Sequence, residues 1–211
     1  MSHSLDGASV KAMMEGVARH VIDNADMLGD ADRAIGDGDH GVGMRRGFEG
    51  ALDALAAQNP QTPDQVMRAV GTAIMAKTGG AAGAVFGTLF RAGAKALEGQ
   101  QALDAKGFAA FLEMALEAVV KRGGVVPGQK TMVDALAPAA AAARSAADAS
   151  LADALNAVAA AAGDGVEATK GMIATTGKAR SLGERSLGFV DPGAVSVSLI
   201  FNAMRDAASK N

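Results

Sequence analysis

Three aspartates and a histidine fall within nine residues of the stretch Asp32-Arg33-Ala34-Ile35-Gly36-Asp37-Gly38-Asp39-His40-Gly41, interleaved with glycines. Carboxylates this close repel one another unless a cation offsets their charge. Hard oxygen ligands suit Mg2+ or Ca2+. An EF-hand loop begun at Asp37 would need an oxygen ligand where Gly41 stands and a glutamate where Phe48 stands, so that template fails. A magnesium site that leaves positions for phosphate oxygens fits better. Capping of the following helix accounts for one of these aspartates, not for three.

Two further connections hold residues suited to phosphate. Thr78-Gly79-Gly80-Ala81-Ala82-Gly83 opens an apolar-periodic segment, and small residues at a helix start let N–H groups approach an anion. No Gly-Lys-Ser/Thr follows, so this is not a P-loop. The other connection comes in two parts: Gly123 to Met132, and the aperiodic stretch Thr176 to Gly193, which carries Lys178, Arg180 and Arg185 beside glycines as a phosphate-binding flap would. Phosphoryl transfer needs positioning and charge neutralisation rather than a protein nucleophile. Of the histidines, His3 and His20 lie far from the acidic motif. His40 alone is a candidate, for stacking on a nucleotide or for bonding phosphate.

Composition narrows the field. The chain has 211 residues, 49% apolar and 20% charged, which fits one soluble globular domain spanning 1–211. Its net charge of -3 argues against a nucleic-acid footprint, and the lack of Trp and Tyr leaves few stacking platforms. Absence of cysteine excludes disulfides, thiolate metal sites and a Cys nucleophile. No apolar run is long enough for a membrane span, and the first residues lack a secretion signal, so a cytoplasmic location is expected.

The elements that must position these loops read as helices. Apolar residues recur at spacings of three and four in about eight segments, roughly 7–28, 41–57, 63–77, 81–98, 104–122, 130–147, 150–173 and 193–208. No segment reads as a persuasive strand. All five prolines read as breaks, with Thr62-Pro63 and Asp191-Pro192 as helix starts. Alanine runs such as 137–147 allow close helix packing. The expected fold is all-α, a single domain of about eight antiparallel helices joined by short connections.

Ile35 to Gly41, Gly79 to Gly83, Pro127-Gly128-Gln129-Lys130-Thr131-Met132-Val133-Asp134, and Leu182 to Ser186 with Asp191-Pro192-Gly193-Ala194 together resemble the dihydroxyacetone kinase L subunit family. Their order and spacing match over nearly the whole chain. The resemblance implies a helical barrel with the nucleotide site in the loops at one end. It implies that Asp32, Asp37 and Asp39 bind two Mg2+ bridging the phosphates of ADP or ATP. Nucleotide contacts fall on His40, Gly41, Val42, Gly43, Ala81, Ala82, Gly123, Met132, Lys178, Asp191, Pro192 and Gly193, and the residue reading adds Thr131. No catalytic side chain is expected in this chain.

The implied activity is that of a phosphotransferase acting on a hydroxyl of dihydroxyacetone or a related ketose. It requires a K-type subunit that holds the sugar. In one branch of the family ADP stays bound and a phosphohistidine protein recharges it. In the other, ATP exchanges. The oligomeric state is left open, with a homodimer as one option. Three positions depart from the usual pattern: Gly43 stands where relatives often have Asn, Ala82 where they often have Ser, and Lys178 where they often have Arg. These departures weaken the polar grip on phosphate, since Lys lacks the bidentate fork of Arg. They keep open a four-carbon ketose such as erythrulose, and a second function as a catalytically silent nucleotide-sensing or regulatory protein.

Overall fold

The computed structural model describes residues 4–208 of the chain; His3 lies outside them. Among the described residues nine α-helices carry almost all of the fold: α1 (Gly7–Asp23), α2 (Ala25–Ile35), α3 (His40–Gln58), α4 (Pro63–Lys77), α5 (Gly80–Lys95), α6 (Ala105–Gly123), α7 (Val133–Ser145), α8 (Leu151–Thr169) and α9 (Pro192–Ala208). A 3-10 segment, Lys178–Ser186, breaks at Gly183, where φ is 55°.

The stretch expected as one helix over 7–28 is two. Asn24 ends α1 by giving both its backbone N–H and its side-chain amide to the carbonyl of His20, which lets the chain turn into α2. The buried stripe of α2 is Ala25, Leu28, Gly29, Asp32 and Ile35. Two of these five are glycine and aspartate, so apolar periodicity understates this helix. Asp32 therefore sits in the last turn of a helix rather than in a loop.

Two three-residue strands also appear: β1 (Ser4–Asp6) and β2 (Ala102–Asp104) pair antiparallel, with Leu5 opposite Leu103. Each is too short to show alternation, and each ends on an aspartate that caps the next helix. Asp6 accepts from Ser9 N–H at 2.8 Å, and Asp104 accepts from Gly107 N–H at 2.7 Å.

Pro138 does not break its helix but lies inside α7. Lacking an N–H, it leaves the Asp134 carbonyl without its usual i+4 donor. The backbone of Gly165 on α8 packs there, and a Cβ at that glycine would stand 2.4 Å from the Asp134 oxygen. The close approach made possible by glycine absorbs the proline.

Each helix from α3 to α9 packs on its successor, α9 packs on α1, and α1 packs on α3, so the circuit of neighbours closes. Helix α2 stands outside that circuit against α3 and α9. Within the circuit lies a core containing Phe48, Phe86, Phe90, Phe108, Phe111 and Phe201, together with Met13, Met14, Met44 and Met67. Successive neighbours joined by short turns run antiparallel. The α2–α3, α4–α5, α6–α7 and α8–α9 connections therefore fall at one end, where every motif singled out in the sequence is found.

Candidate functional site

A cleft of about 390 Å³ opens at that end, with walls contributed by all four connections. The α2–α3 connection brings in the acidic cluster. Asp32 is buried, and one of its carboxylate oxygens accepts from the His40 N–H at 3.3 Å. Gly36 follows so closely that a Cβ there would lie 2.3 Å from the other Asp32 carboxylate oxygen. Gly38 has φ of 80°, a conformation that puts little strain on glycine alone. This turn exposes Asp37 and Asp39, and one carboxylate oxygen from each of the three aspartates lies within 4.8 Å of the others.

The α8–α9 connection closes over this cluster. Lys178 Nζ donates to Asp37 at 2.5 Å and to Asp39 at 3.0 Å. The ammonium holds the Asp37 carboxyl below the usual carboxylate range, and the two carboxylates in turn raise Lys178. The loop geometry thus already accommodates a positive charge between these side chains. An all-oxygen donor set of this hardness fits Mg2+.

His40 begins α3 and lies against the cleft wall. Its Nε2 is 2.8 Å from Ser196 Oγ. That hydroxyl gives its hydrogen to the Pro192 carbonyl, so it accepts from the imidazole. The ring tilts on Phe86 at 6.3 Å and 41°. Burial lowers the His40 pKa, outweighing the nearby Asp32 and Asp39, so the imidazole is neutral at pH 7.

Opposite the acidic turn stands the α4–α5 elbow. Gly79 and Gly80 both have positive φ, and α5 starts with no side-chain cap, so its first N–H groups have no side-chain acceptor where Gly80, Ala81 and Ala82 line the cleft. Arg46 fixes this elbow by donating to the Thr78 carbonyl at 3.0 Å. Thr78 is wedged between helices: its Oγ1 would lie 2.0 Å from a Cβ on Gly47. That hydroxyl is the one buried side-chain polar atom without a hydrogen-bond partner among the described residues. Thr78→Val keeps the shape and removes the orphan, so the melting temperature should rise by a few degrees, equivalent to about 1 kcal/mol. Differential scanning calorimetry reads this directly, and an unchanged or lower value contradicts it.

From the α6–α7 connection come Thr131 and Met132, and Gly123 from the end of α6. Asp134 shapes this loop by accepting from Gly128 N–H at 2.5 Å and from Thr131 N–H at 2.7 Å. Asp191, Pro192 and Gly193 line the cleft at the start of α9. Asp191 caps that helix through Ala194 N–H at 2.8 Å, and burial pushes its carboxyl up to about 7.

The expected site residues are therefore mostly together. Asp32, Asp39, His40, Gly43, Ala81, Ala82, Gly123, Thr131, Met132, Lys178, Asp191, Pro192 and Gly193 line one cleft, and Asp37 joins them through the carboxylate cluster. Gly41 instead faces α2, and Val42 projects into solvent. Sequence reasoning gave no role to Arg46, Lys130 or Ser196. Thr78 and Lys130 stand at the edge or inside of the motifs named above, and nothing local marks Arg46 or Ser196.

The fold and site define a helical domain whose loops at one end gather carboxylates, helix starts and a flap lysine in one cleft. Residues 34–206 match the family described as the DAK2 domain, and the chain belongs to that family. It is 39% identical over 188 residues to the Listeria innocua protein named PEP-dependent dihydroxyacetone kinase 1, ADP-binding subunit DhaL, covering 87% of this chain and 88% of that one. It is 35% identical over 204 residues to the D-erythrulose kinase of Mycolicibacterium smegmatis, covering 95% of this chain but 35% of that longer protein. Among solved structures, the native dihydroxyacetone kinase of C. freundii superposes with a TM-score of 0.73 at 25% identity, over 98% of this chain and 36% of that chain. The same kinase in complex with AMP-PNP and Mg2+ gives a TM-score of 0.73 at 24% identity. The chain thus spans about a third of those longer kinases and most of the separate ADP-binding subunit. No helix among the described residues is long and apolar enough to cross a membrane.

Proposed function

We propose that this chain is the nucleotide-binding subunit of a dihydroxyacetone-type kinase, which transfers a phosphoryl group to a short ketose held by a separate K-type subunit. The observation that carries this reading is the convergence of three carboxylates, an uncapped glycine-rich helix start and a flap lysine on one cleft. The similarity to a separate ADP-binding subunit, over nearly its full length, supports it. So does the closed circuit of helix neighbours, which suits the barrel that the resemblance implies.

In this reading Asp32, Asp37 and Asp39 hold two Mg2+, which when bound neutralise charge on the phosphates of ADP or ATP. The N–H groups at Gly80 to Ala82 face the phosphate tail, and Lys178 moves its charge from Asp37 and Asp39 to the transferred group. Neutral His40, locked by Ser196 and Phe86, shapes the wall without adding charge. The acceptor hydroxyl comes from the partner. Exposed Val42, Val126, Leu187 and Phe189 on the segments around the cleft offer that partner an apolar rim.

The test mixes the purified protein with a K-type subunit, Mg2+ and either ATP or a phosphohistidine donor protein, and assays dihydroxyacetone and erythrulose for sugar phosphate. Product should form only when both subunits and Mg2+ are present. Mass spectrometry of the freshly purified protein identifies the branch: retained ADP points to the phosphohistidine donor, an empty cleft to exchangeable ATP. No product with either donor or sugar overturns the kinase reading in favour of a nucleotide-sensing protein.

A further inference from the structure

Lys130 is a cation that the phosphate-facing chemistry leaves unused. Its residue is 2% exposed, and its backbone has φ of 60°, a conformation shared among non-glycine described residues only with Asn59. A lysine is disfavoured in that conformation and its ammonium is disfavoured inside a protein, so both features persist only where surrounding contacts hold them. The contacts are specific. Nζ donates to the Thr169 carbonyl at the end of α8, at 2.6 Å, and to the Phe189 carbonyl at the end of the flap, at 2.5 Å. Asp134 and Asp191 are the charged groups that face it, and both attract it.

These bonds tie together three segments that are separate in sequence and adjacent at the cleft. Lys130 directly precedes Thr131 and Met132. Thr169 holds the segment again from the other side, because its hydroxyl accepts from the Asp191 N–H at 3.0 Å. Phe189 leads into Asp191, Pro192 and Gly193. The start of α9 packs on the far side of the same loop, where a Cβ on Gly193 would lie 3.2 Å from Met132 Cβ. One ammonium therefore links two walls of the cleft where helix packing alone does not reach, since the 170–191 connection carries no helix other than the broken 3-10 segment.

We infer that Lys130 is a positioning residue of this site, pinning the flap's return and the start of α9 against the α6–α7 loop so that the cleft is shaped before a nucleoside diphosphate arrives. The inference rests on the nucleotide reading above. A preshaped pocket spares the ligand the cost of ordering it, so losing the pin weakens binding without removing any ligand contact.

Titration calorimetry of ADP with Mg2+ on the wild type, Lys130→Met and Lys130→Arg tests it. The methionine keeps the length of the side chain without its charge or donors. It should keep the helical circular dichroism spectrum and weaken ADP binding by roughly fivefold or more, while the arginine variant binds within that margin of the wild type. The amide signals of Gly193 and Ala194 in a 15N-labelled sample should shift in the methionine variant and return in the arginine one. Should the methionine variant fail to fold, Lys130→Gly, whose backbone suits the positive φ, takes its place with the same outcomes. ADP affinity within about fivefold of wild type in the charge-free variant, or an arginine variant as weak as it, overturns the inference alone. Wild-type protein that binds no ADP overturns the nucleotide reading and this inference together.

Discussion

Asp37→Ala should abolish magnesium-dependent ADP binding while leaving the helical fold in place. Asp37 is exposed in the α2–α3 turn, and its partner in another element is Lys178. Removing it takes no apolar surface out of the core, so the melting temperature should move by no more than about 2 °C. At the cleft the effect is large. In the proposed two-ion site, losing one of three clustered carboxylates removes a formal charge and the oxygen ligands it would share between the ions. Calorimetric titration in Mg2+ should show ADP affinity reduced by about 100-fold or more, and wild-type binding in EDTA should fall to a similar level. An Asp37→Ala protein that binds ADP as the wild type does would show that this cluster is a solvated turn held by Lys178 and nothing else.

Gly41→Ala should be as damaging, by another route. Resemblance alone puts Gly41 among the nucleotide contacts, but the structure turns it away from the cleft and against α2. A Cβ there would meet the Ala25 carbonyl oxygen at 1.9 Å and the Gly29 nitrogen at 2.7 Å. Both are backbone atoms, so no side chain can rotate out of the way and the whole of α2 must move. Overpacking of this kind costs about 3 kcal/mol or more, a fall in melting temperature on the order of 10 °C. Helix α2 carries Asp32, so ADP affinity in Mg2+ should fall with it. Scanning calorimetry separates the two accounts: a residue that merely touches the nucleotide would lower affinity at an unchanged melting temperature.

What was legible in the sequence was local. The 3.6-residue recurrence of Val66, Val70 and Ile74, together with the Thr62-Pro63 start, is a property of neighbours along the chain, and α4 lies at Pro63–Lys77 as that pattern predicts. Three aspartates close together in a glycine-rich stretch are likewise a local signal, and they converge in space although Asp32 belongs to α2. The features that escaped depend on distant partners. Helix α2 hides because Gly29 and Asp32 hold core-facing positions in order to pack on α3 and to reach the cluster. Strand β1 exists only because β2 pairs with it from about a hundred residues away. Pro138 reads as a break until Gly165 is seen beside it. Lys130 lies in a quoted motif, yet its acceptors are 39 and 59 positions further along the chain. Arg46 comes to the cleft from the second turn of α3, and its bond to the Thr78 carbonyl is made across 32 positions.

The alternation of helix direction has an electrostatic consequence. At the cleft α3, α5, α7 and α9 begin, while α2, α4, α6 and α8 end. Helix starts present partial positive charge and helix ends partial negative charge, so the two signs alternate around the rim. The negative pole of α2 points at the carboxylates, and the positive pole of α5 faces them from across the cleft. The backbone alone therefore supplies a field with a direction, and under the proposed function it would favour the cation side of a metal–polyphosphate pair beside α2 and the anionic tail beside α5.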